Sequence, residues 1–223
     1  MKQDEEIYDY KYLLKNIKLL GSKYDISKVF NDFLIMGAYS ISNSVNYNDD
    51  REKEYLRIIN SYTKEEQYVF PKMFAGLINS LDSEIFNDVL GKLFEELNLQ
   101  NKYKGQFFTP EHVCDFMANV TLDKKVIDDS IKDKGYISLN DSACGSSRLI
   151  YAAIRVIKKN NVNYHFKVYV EVQDISITCV LMSYIQLSLY GINARVILGN
   201  TLTNEIQDVF YTPFAILFPI IPN

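Results

Sequence analysis

The chain has 223 residues, of which 48% are hydrophobic and 23% are charged, and its formal net charge is −4. This composition is typical of a globular protein with a sizeable core, and no apolar run reaches the roughly 18 residues that a membrane-spanning helix needs. The acidic balance argues against a free-standing DNA-binding protein, because non-specific DNA affinity depends on clustered Lys and Arg.

The polar and acidic start, residues 1–6, does not resemble a signal peptide, so we expect a cytoplasmic location and no membrane partner. Cys114, Cys144 and Cys179 are widely spaced and form no Cys-x-x-Cys pair, which favours reduced thiols. His112 and His165 are the two histidines that could add imidazole ligands, and we predict no metal site.

Residues 1–100 are predicted to form a helical region. Apolar side chains recur at helical spacing in the stretches 8–20, 29–39 and 70–81, and an Asn/Asp-rich stretch interrupts them at 42–50. A further amphipathic helix is predicted over 83–97.

From Thr109 onwards the pattern changes to alternating strands and helices. Thr109 is the expected N-cap of a helix with Pro110 at its first position. Strands are predicted over 135–141, 166–172, 194–198 and 209–217, and helices over 148–159 and 174–190. This alternation predicts an α/β fold over 101–223, with a parallel sheet and helices on both faces.

Two segments favour a site for a nucleotide-like cofactor. Residues 105–110 form the sequence Gly-Gln-Phe-Phe-Thr-Pro, and residues 139–147 form Leu-Asn-Asp-Ser-Ala-Cys-Gly-Ser-Ser. A loop of small residues after a strand lets the backbone approach a ligand, and the N-terminus of the following helix favours a carboxylate. In an open parallel sheet such a ligand lies beyond the carboxyl ends of the strands.

Together with Asp88, Gly91, Phe94 and Glu95, which fit an Asp-x-x-Gly-x-x-aromatic-Glu pattern, these segments resemble the adenine-N6 DNA methylases, especially the modification subunits of type I restriction systems. The resemblance extends over about residues 83–210. It implies a Rossmann-like methyltransferase fold, here with an incomplete C-terminal half, behind the N-terminal helical region. It also implies S-adenosylmethionine as cofactor and DNA as partner, with a specificity subunit, another protein or a second copy as open alternatives.

The resemblance assigns the cofactor contacts to a set of side chains along this region: Gln106, Phe107, Phe108, Thr109, Asp141, Ala143, Gly145, Glu171 and Asn200. Glu171 is expected to end the second strand and bind the ribose hydroxyls, with Gln173 or Asp174 sharing that role. Asn200 stands where the relatives carry an Asp that binds the amino group of the cofactor's adenine. Ser147 replaces their second glycine, and its Cβ is expected to narrow the pocket.

The amino group of the target adenine in DNA is a poor nucleophile. The methylases hold it with an Asn/Asp-Pro-Pro-aromatic tetrapeptide after the base has been flipped out. No such tetrapeptide occurs in this chain. Thr212, Pro213 and Phe214 stand at about its position and are the candidates for a degenerate catalytic pocket. Two functions therefore stay open: a cofactor-binding DNA adenine-N6 methyltransferase with little or no catalysis, or a catalytically silent, methylase-like regulatory module of a phage or mobile element that binds DNA or protein. A methyltransferase that acts on RNA or protein is a third alternative.

Overall fold

A computed structural model describes residues 8–83, 85–100 and 108–220. Its first part is helical, as predicted, and the helices are α1 (Tyr10–Tyr24), α2 (Ile26–Val45), α3 (Asp49–Ile59), α4 (Lys64–Gln67), α5 (Val69–Ser83) and α6 (Val89–Glu96). The helices α7 (Glu111–Thr121) and α8 (Lys124–Lys134) lead to the sheet. None of the described helices is long and apolar enough to cross a bilayer.

The single helix predicted over 83–97 is wrong, because the chain turns between α5 and α6. Phe86 adopts a left-handed conformation with a φ of 62° and is fully buried. Its ring lies against those of Tyr164 and Tyr190, at centroid distances of 5.0 and 4.9 Å. Asp88 then caps α6 by accepting a hydrogen bond from the Gly91 amide at 2.9 Å. The gain from burying an aromatic ring outweighs the local helix propensity here.

The sheet contains β1 (Ile137–Asp141), β2 (Val168–Asp174), β3 (Asn193–Asn200) and β4 (Glu205–Tyr211), in the spatial order β1-β2-β3-β4. The first three strands are parallel, as predicted. The helices α9 (Arg148–Lys159), α10 (Tyr164–Lys167) and α11 (Ile177–Leu189) connect them. The result is an α/β fold behind a helical region.

The fourth strand differs from the prediction, which placed it at 209–217 within a parallel sheet. It spans Glu205–Tyr211 and pairs antiparallel with β3. The connection, residues 201–204, is far too short for the crossover of a dozen or more residues that a parallel strand requires. Thr212 then caps the short helix α12 (Pro213–Leu217), whose first residue is a proline.

Helix α11 packs on one face of the sheet, where Val168, Val170 and Val172 are fully buried. These valines belong to a hydrophobic cluster that also contains side chains of α1, α2 and α5. On the opposite face Ser138 and Asn140 are exposed, so this part of the described sheet is not covered by a helix. The prediction of helices on both faces is wrong there. The strands β1, β2 and β3 follow one another in a single direction across the sheet, so their right-handed connections place α9 and α11 on the same face. The predicted domain boundary near residue 100 stays a prediction.

Candidate functional site

The carboxyl ends of β1, β2 and β3 meet at one edge of the sheet, which we call the carboxyl edge. Asp141 ends β1, Asp174 ends β2 and Asn200 ends β3. The loop 142–147 leaves β1 at this edge and enters α9. The structure thus brings together the predicted residues Asp141, Ala143, Gly145 and Asn200.

The loop 142–147, which we call the cofactor loop, depends on glycine at position 145. Gly145 has a φ of +54°, a conformation that side chains disfavour, and an added Cβ would lie 2.9 Å from the Phe108 ring. Its amide donates to Asp174 Oδ2 at 2.9 Å, and the Cys144 amide donates to the Gln173 carbonyl at 3.0 Å. The end of β2 therefore fixes the path of the loop.

Two carboxylates flank the cofactor loop. Asp141 Oδ1 accepts a hydrogen bond from the Ala143 amide at 3.1 Å, and Asp174 Oδ1 accepts one from the Ser176 amide at 2.9 Å. Burial raises the pKa of Asp141, the bond from Ala143 opposes this, and the charge of Asp174 raises it further. This edge is thus rich in hydrogen-bond acceptors, which suits ligand hydroxyl and amino groups.

Glu171 does not lie at the end of the second strand, which corrects the prediction. It occupies the middle of β2, opposite Asn140 and Arg195 on the neighbouring strands. Its carboxylate binds Arg195 Nη1 at 2.7 Å. Because side chains alternate between the faces of a strand, Glu171 projects from the face opposite to that of Asp174. The acidic residue at the strand end is Asp174, since β2 continues two residues beyond the predicted end.

Asn200 takes part in the turn that follows β3. Its Oδ1 accepts a hydrogen bond from the Leu202 amide at 3.0 Å. The next residue, Thr201, donates its hydroxyl to the Ser142 carbonyl at 2.6 Å. The β3–β4 turn is therefore tied to the cofactor loop and holds Asn200 beside it.

Ser147 does not narrow the loop, contrary to expectation. It adopts a left-handed conformation with a φ of 71° and is fully buried. Its hydroxyl forms a hydrogen bond with that of Ser183 on α11. The Cβ therefore points towards α11 beneath the loop, and the serine side chain is buried in the core.

Phe108 and Thr109 lie just before α7, and the Phe108 ring contacts the cofactor loop. The Phe108 ring packs on Gly145, 5.6 Å from the Phe94 centroid. The Thr109 carbonyl accepts hydrogen bonds, while Pro110, not Thr109, is the residue that precedes the first turn of α7. The predicted contacts Gln106 and Phe107 lie outside the described residues.

Sequence reasoning missed a buried polar network beneath the loop. Asp88 is 1% exposed and accepts hydrogen bonds from Ser146 Oγ at 2.6 Å, Arg148 Nε at 2.8 Å and Gln186 Nε2 at 3.2 Å. Arg148 Nη2 also donates to Glu95 Oε2 at 2.9 Å. The Asp-x-x-Gly pattern pointed to Asp88, but no local signal marked Arg148 as its partner.

The candidate catalytic residues Thr212, Pro213 and Phe214 lie at the opposite, amino-terminal end of β3. Thr212 is fully buried; its hydroxyl donates to the Ile192 carbonyl at 2.6 Å and accepts from the Ala194 amide at 3.0 Å. Pro213 opens α12, and the Phe214 ring lies 5.3 Å from that of His165. The antiparallel direction of β4 carries these residues away from the carboxyl edge, so the structure does not bring them to the cofactor loop.

Within the described residues, no group of three or more His, Cys, Asp or Glu side chains could hold a metal ion. The three cysteines are buried and free, and burial raises the pKa of the Cys144 thiol well above its usual value. The neighbouring charges of Asp174 and Asp141 raise it further. Cys144 is therefore a neutral, buried packing residue of the loop.

Comparisons with known proteins show what the chain is similar to. A family model described as N-6 DNA Methylase matches residues 82–215. The type I restriction enzyme MpnII methylase subunit of Mycoplasma pneumoniae is 27% identical over 198 residues, which are 85% of this chain and 32% of that subunit. The chain thus spans about a third of the length of this curated relative. A solved structure, a proposed class I S-adenosylmethionine-dependent methyltransferase from Listeria monocytogenes, is 15% identical with a TM-score of 0.46, over 83% of this chain and 50% of that one.

Proposed function

The chain belongs to the N-6 DNA methylase family, and we propose that it binds S-adenosylmethionine at the carboxyl edge and acts in adenine-N6 methylation of DNA together with residues from outside this chain. The observation that carries the proposal is the cofactor loop, which is folded around Gly145 and held by Asp174. Open α/β sheets bind nucleotide-like ligands at this edge. The partner class is DNA, recognised with the help of a specificity subunit or another protein chain.

The residues at the carboxyl edge fit this cofactor chemically. Asp174, at the end of β2, is suited to accept hydrogen bonds from the ribose hydroxyls. Asn200 would bind the amino group of the cofactor's adenine. Ala143 is exposed, and its small side chain lets the backbone of the loop approach the ligand. Asp141 and Thr109 flank the loop on its two sides. When bound, S-adenosylmethionine supplies an electrophilic methyl group; the chain itself supplies binding and orientation.

Methyl transfer by this chain alone is expected to be very weak. The sequence lacks the Asn/Asp-Pro-Pro-aromatic tetrapeptide, and Thr212, at about the corresponding position, is buried at the far end of β3. Losing one preorganised hydrogen-bonding group commonly lowers a rate about 10²–10³-fold. The placement of Thr212 also favours the second candidate function, a methylase-like module that binds its cofactor and a macromolecular partner without catalysing transfer.

Calorimetric titration with S-adenosylmethionine and S-adenosylhomocysteine tests the binding. We expect micromolar affinity for both, and no heat of binding for either would overturn the proposal. Gly145→Ala is expected to lower the affinity, since the added Cβ meets Phe108 at 2.9 Å. Gly135→Ala is the matched control: Gly135 also has a positive φ, +83°, but no atom lies within 4 Å of an added Cβ.

Transfer of a tritiated methyl group to unmodified DNA separates the two candidate functions. Binding without transfer, and transfer restored by a partner chain that supplies the tetrapeptide, would support the methylase role. Binding without transfer under any such combination would support the silent module. Efficient transfer by this chain alone would mean that an acceptor pocket forms away from Thr212, Pro213 and Phe214.

A further inference from the structure

Arg148, the first residue of α9, joins three separate segments of the chain. Its Nε donates to Asp88 Oδ2 at 2.8 Å, its Nη2 to Glu95 Oε2 at 2.9 Å and its Nη1 to the Thr109 carbonyl at 3.2 Å. The guanidinium carbon also lies 5.5 Å from the centre of the Phe108 ring. One planar group therefore contacts both ends of α6 and the Phe-Thr-Pro turn before α7.

The environment of Arg148 makes these bonds strong. Its side chain is 10% exposed, that of Asp88 1% and that of Glu95 33%, so water competes weakly for the pairing. Burial would lower the pKa of Arg148, but Glu95 and Asp88 outweigh it and raise the pKa above its usual value. Charge-assisted bonds from a guanidinium are directional because its donors are fixed in one plane.

The same network reaches the cofactor loop directly. Ser146, the loop residue two positions before Arg148, donates its hydroxyl to Asp88 at 2.6 Å. The Ser146 carbonyl in turn accepts from the Tyr151 hydroxyl at 2.8 Å. A shift of Arg148 would therefore move Ser146 through Asp88 and Phe108 through the lost contact with the guanidinium, and Phe108 packs on Gly145.

We propose that Arg148 is a positioning residue that sets the separation between the Phe-Thr-Pro turn and the cofactor loop, and thereby the width of the cofactor site. The proposal rests on the proposed function in one respect, namely that the ligand of this site is S-adenosylmethionine. A lysine keeps the charge but cannot reach Asp88, Glu95 and the Thr109 carbonyl at once, because its donors radiate from a single nitrogen. The planar fork, and not the charge alone, is the feature required.

Arg148→Lys tests this, with Arg155→Lys as the matched control. Arg155 lies on the same helix and also bridges segments, through bonds of 2.6 Å to the Phe86 carbonyl and to Asp115. Asp88 links Arg148 to Ser146 of the cofactor loop, whereas the partners of Arg155 form no such link among the described residues. We expect Arg148→Lys to weaken S-adenosylmethionine binding about tenfold or more, the scale of losing a hydrogen bond to a charged group. Arg155→Lys should leave the affinity of the folded protein within about twofold, well below the effect of one such bond.

Amide hydrogen exchange gives a second measure that does not need the cofactor. In Arg148→Lys, faster exchange is expected at residues 143–147 and 109–114, with the sheet amides unchanged. Glu95→Gln, which keeps the Asp88 pair and weakens only the link at the far end of α6, should show the same changes to a smaller degree. This variant keeps the test decisive if Arg148→Lys does not fold.

The outcomes separate the two proposals. If the wild-type chain does not bind S-adenosylmethionine, the proposed function fails, and the exchange pattern alone decides the role of Arg148. If the wild type binds and both Arg148→Lys and Glu95→Gln bind as tightly, the positioning role is overturned. Equal losses of affinity in Arg148→Lys and Arg155→Lys would also overturn it, since they would indicate a general effect on stability.

Discussion

The two ends of the sheet are built in opposite ways. At the carboxyl edge a loop of small residues runs past Asp141 and Asp174, and backbone amides form many of its contacts. At the opposite end the rings of His165, Phe166, Phe214 and Phe218 pack together, with centroid distances from 4.9 to 5.8 Å. One end leaves its backbone accessible to a ligand, whereas the other is filled by its own side chains.

Strand direction explains why the candidate cofactor contacts and the candidate catalytic residues lie at opposite ends of the sheet. Parallel strands all deliver their following loops to the same edge, so residues after β1, β2 and β3 gather there. An antiparallel strand delivers the residues that follow it to the other end, where Thr212 lies. The direction of the preceding strand therefore decides whether a loop reaches the carboxyl edge.

Thr212→Val is expected to destabilise the protein more than any other substitution considered at the two ends of the sheet. The buried hydroxyl donates to Ile192 and accepts from the Ala194 amide, so its removal leaves two buried backbone groups without this partner. We expect a loss of about 1–3 kcal/mol in the free energy of unfolding, measured by urea denaturation. Cofactor affinity should not change. A loss of affinity at unchanged stability would instead assign Thr212 to the site.

Thr203→Val is the control for this change, since Thr203 is exposed and its hydroxyl makes a single long bond of 3.5 Å to the Asn200 carbonyl. We expect its stability to stay within about 0.5 kcal/mol of the wild type. An equal loss in both variants would show that the valine, and not the buried hydroxyl, causes the effect.

Asp174→Asn and Glu171→Gln test which acidic residue of β2 contacts the cofactor. Each change removes one charge from β2 with little change in shape. We expect Asp174→Asn to weaken S-adenosylmethionine binding about tenfold, which corresponds to about 1.4 kcal/mol. Glu171→Gln should bind like the wild type, since Glu171 lies mid-strand and pairs with Arg195. The reverse order of affinities in calorimetry would restore Glu171 as the ribose contact.

Much of the fold could be predicted because it depends on local patterns. The alternating valines of β2, the helical spacing in residues 8–20 and the stretch from Asp141 to Arg148 each carry their structure in a few neighbouring residues. The position of the carboxyl edge could be predicted from these elements, since the carboxyl ends of parallel strands meet at one edge of the sheet. Asp141, Gly145 and Asn200 were located there for this reason.

The remaining features depend on contacts distant in sequence. The turn at Phe86 results from rings of Tyr164 and Tyr190, and the partner of Asp88 is Arg148, sixty positions along the chain. The direction of β4 depends on the turn at 201–204, whose few residues gave no strong hairpin signal. Glu171 was preferred over Asp174 because the strand end was placed two residues early, and strand ends are the least certain part of a periodic pattern.

The burial of Asp141 is expected to make the stability of the protein depend weakly on pH. Burial raises its pKa above the usual value of 3.8, so the folded protein keeps this proton over a pH range in which the unfolded chain has released it. The resulting contribution to stability is fully present below pH 3.8 and is lost as the pH rises through the raised folded pKa. Asp141→Asn should remove this component, so the variant should gain stability relative to the wild type as the pH rises through that window.

Glu66, in the helical region, gives the control of opposite sign. Burial alone would raise its pKa, but hydrogen bonds from Lys23, Tyr24 and the Thr63 amide outweigh it and lower the pKa to about 2. Its contribution is present above pH 4.5 and is lost as the pH falls towards 2. Urea unfolding of Asp141→Asn and Glu66→Gln between pH 3 and pH 7 should therefore diverge from the wild type in opposite directions. If Asp141→Asn instead follows the wild type throughout, the carboxyl edge is as well hydrated as open solvent, and its contrast with the buried end around Thr212 is one of shape alone.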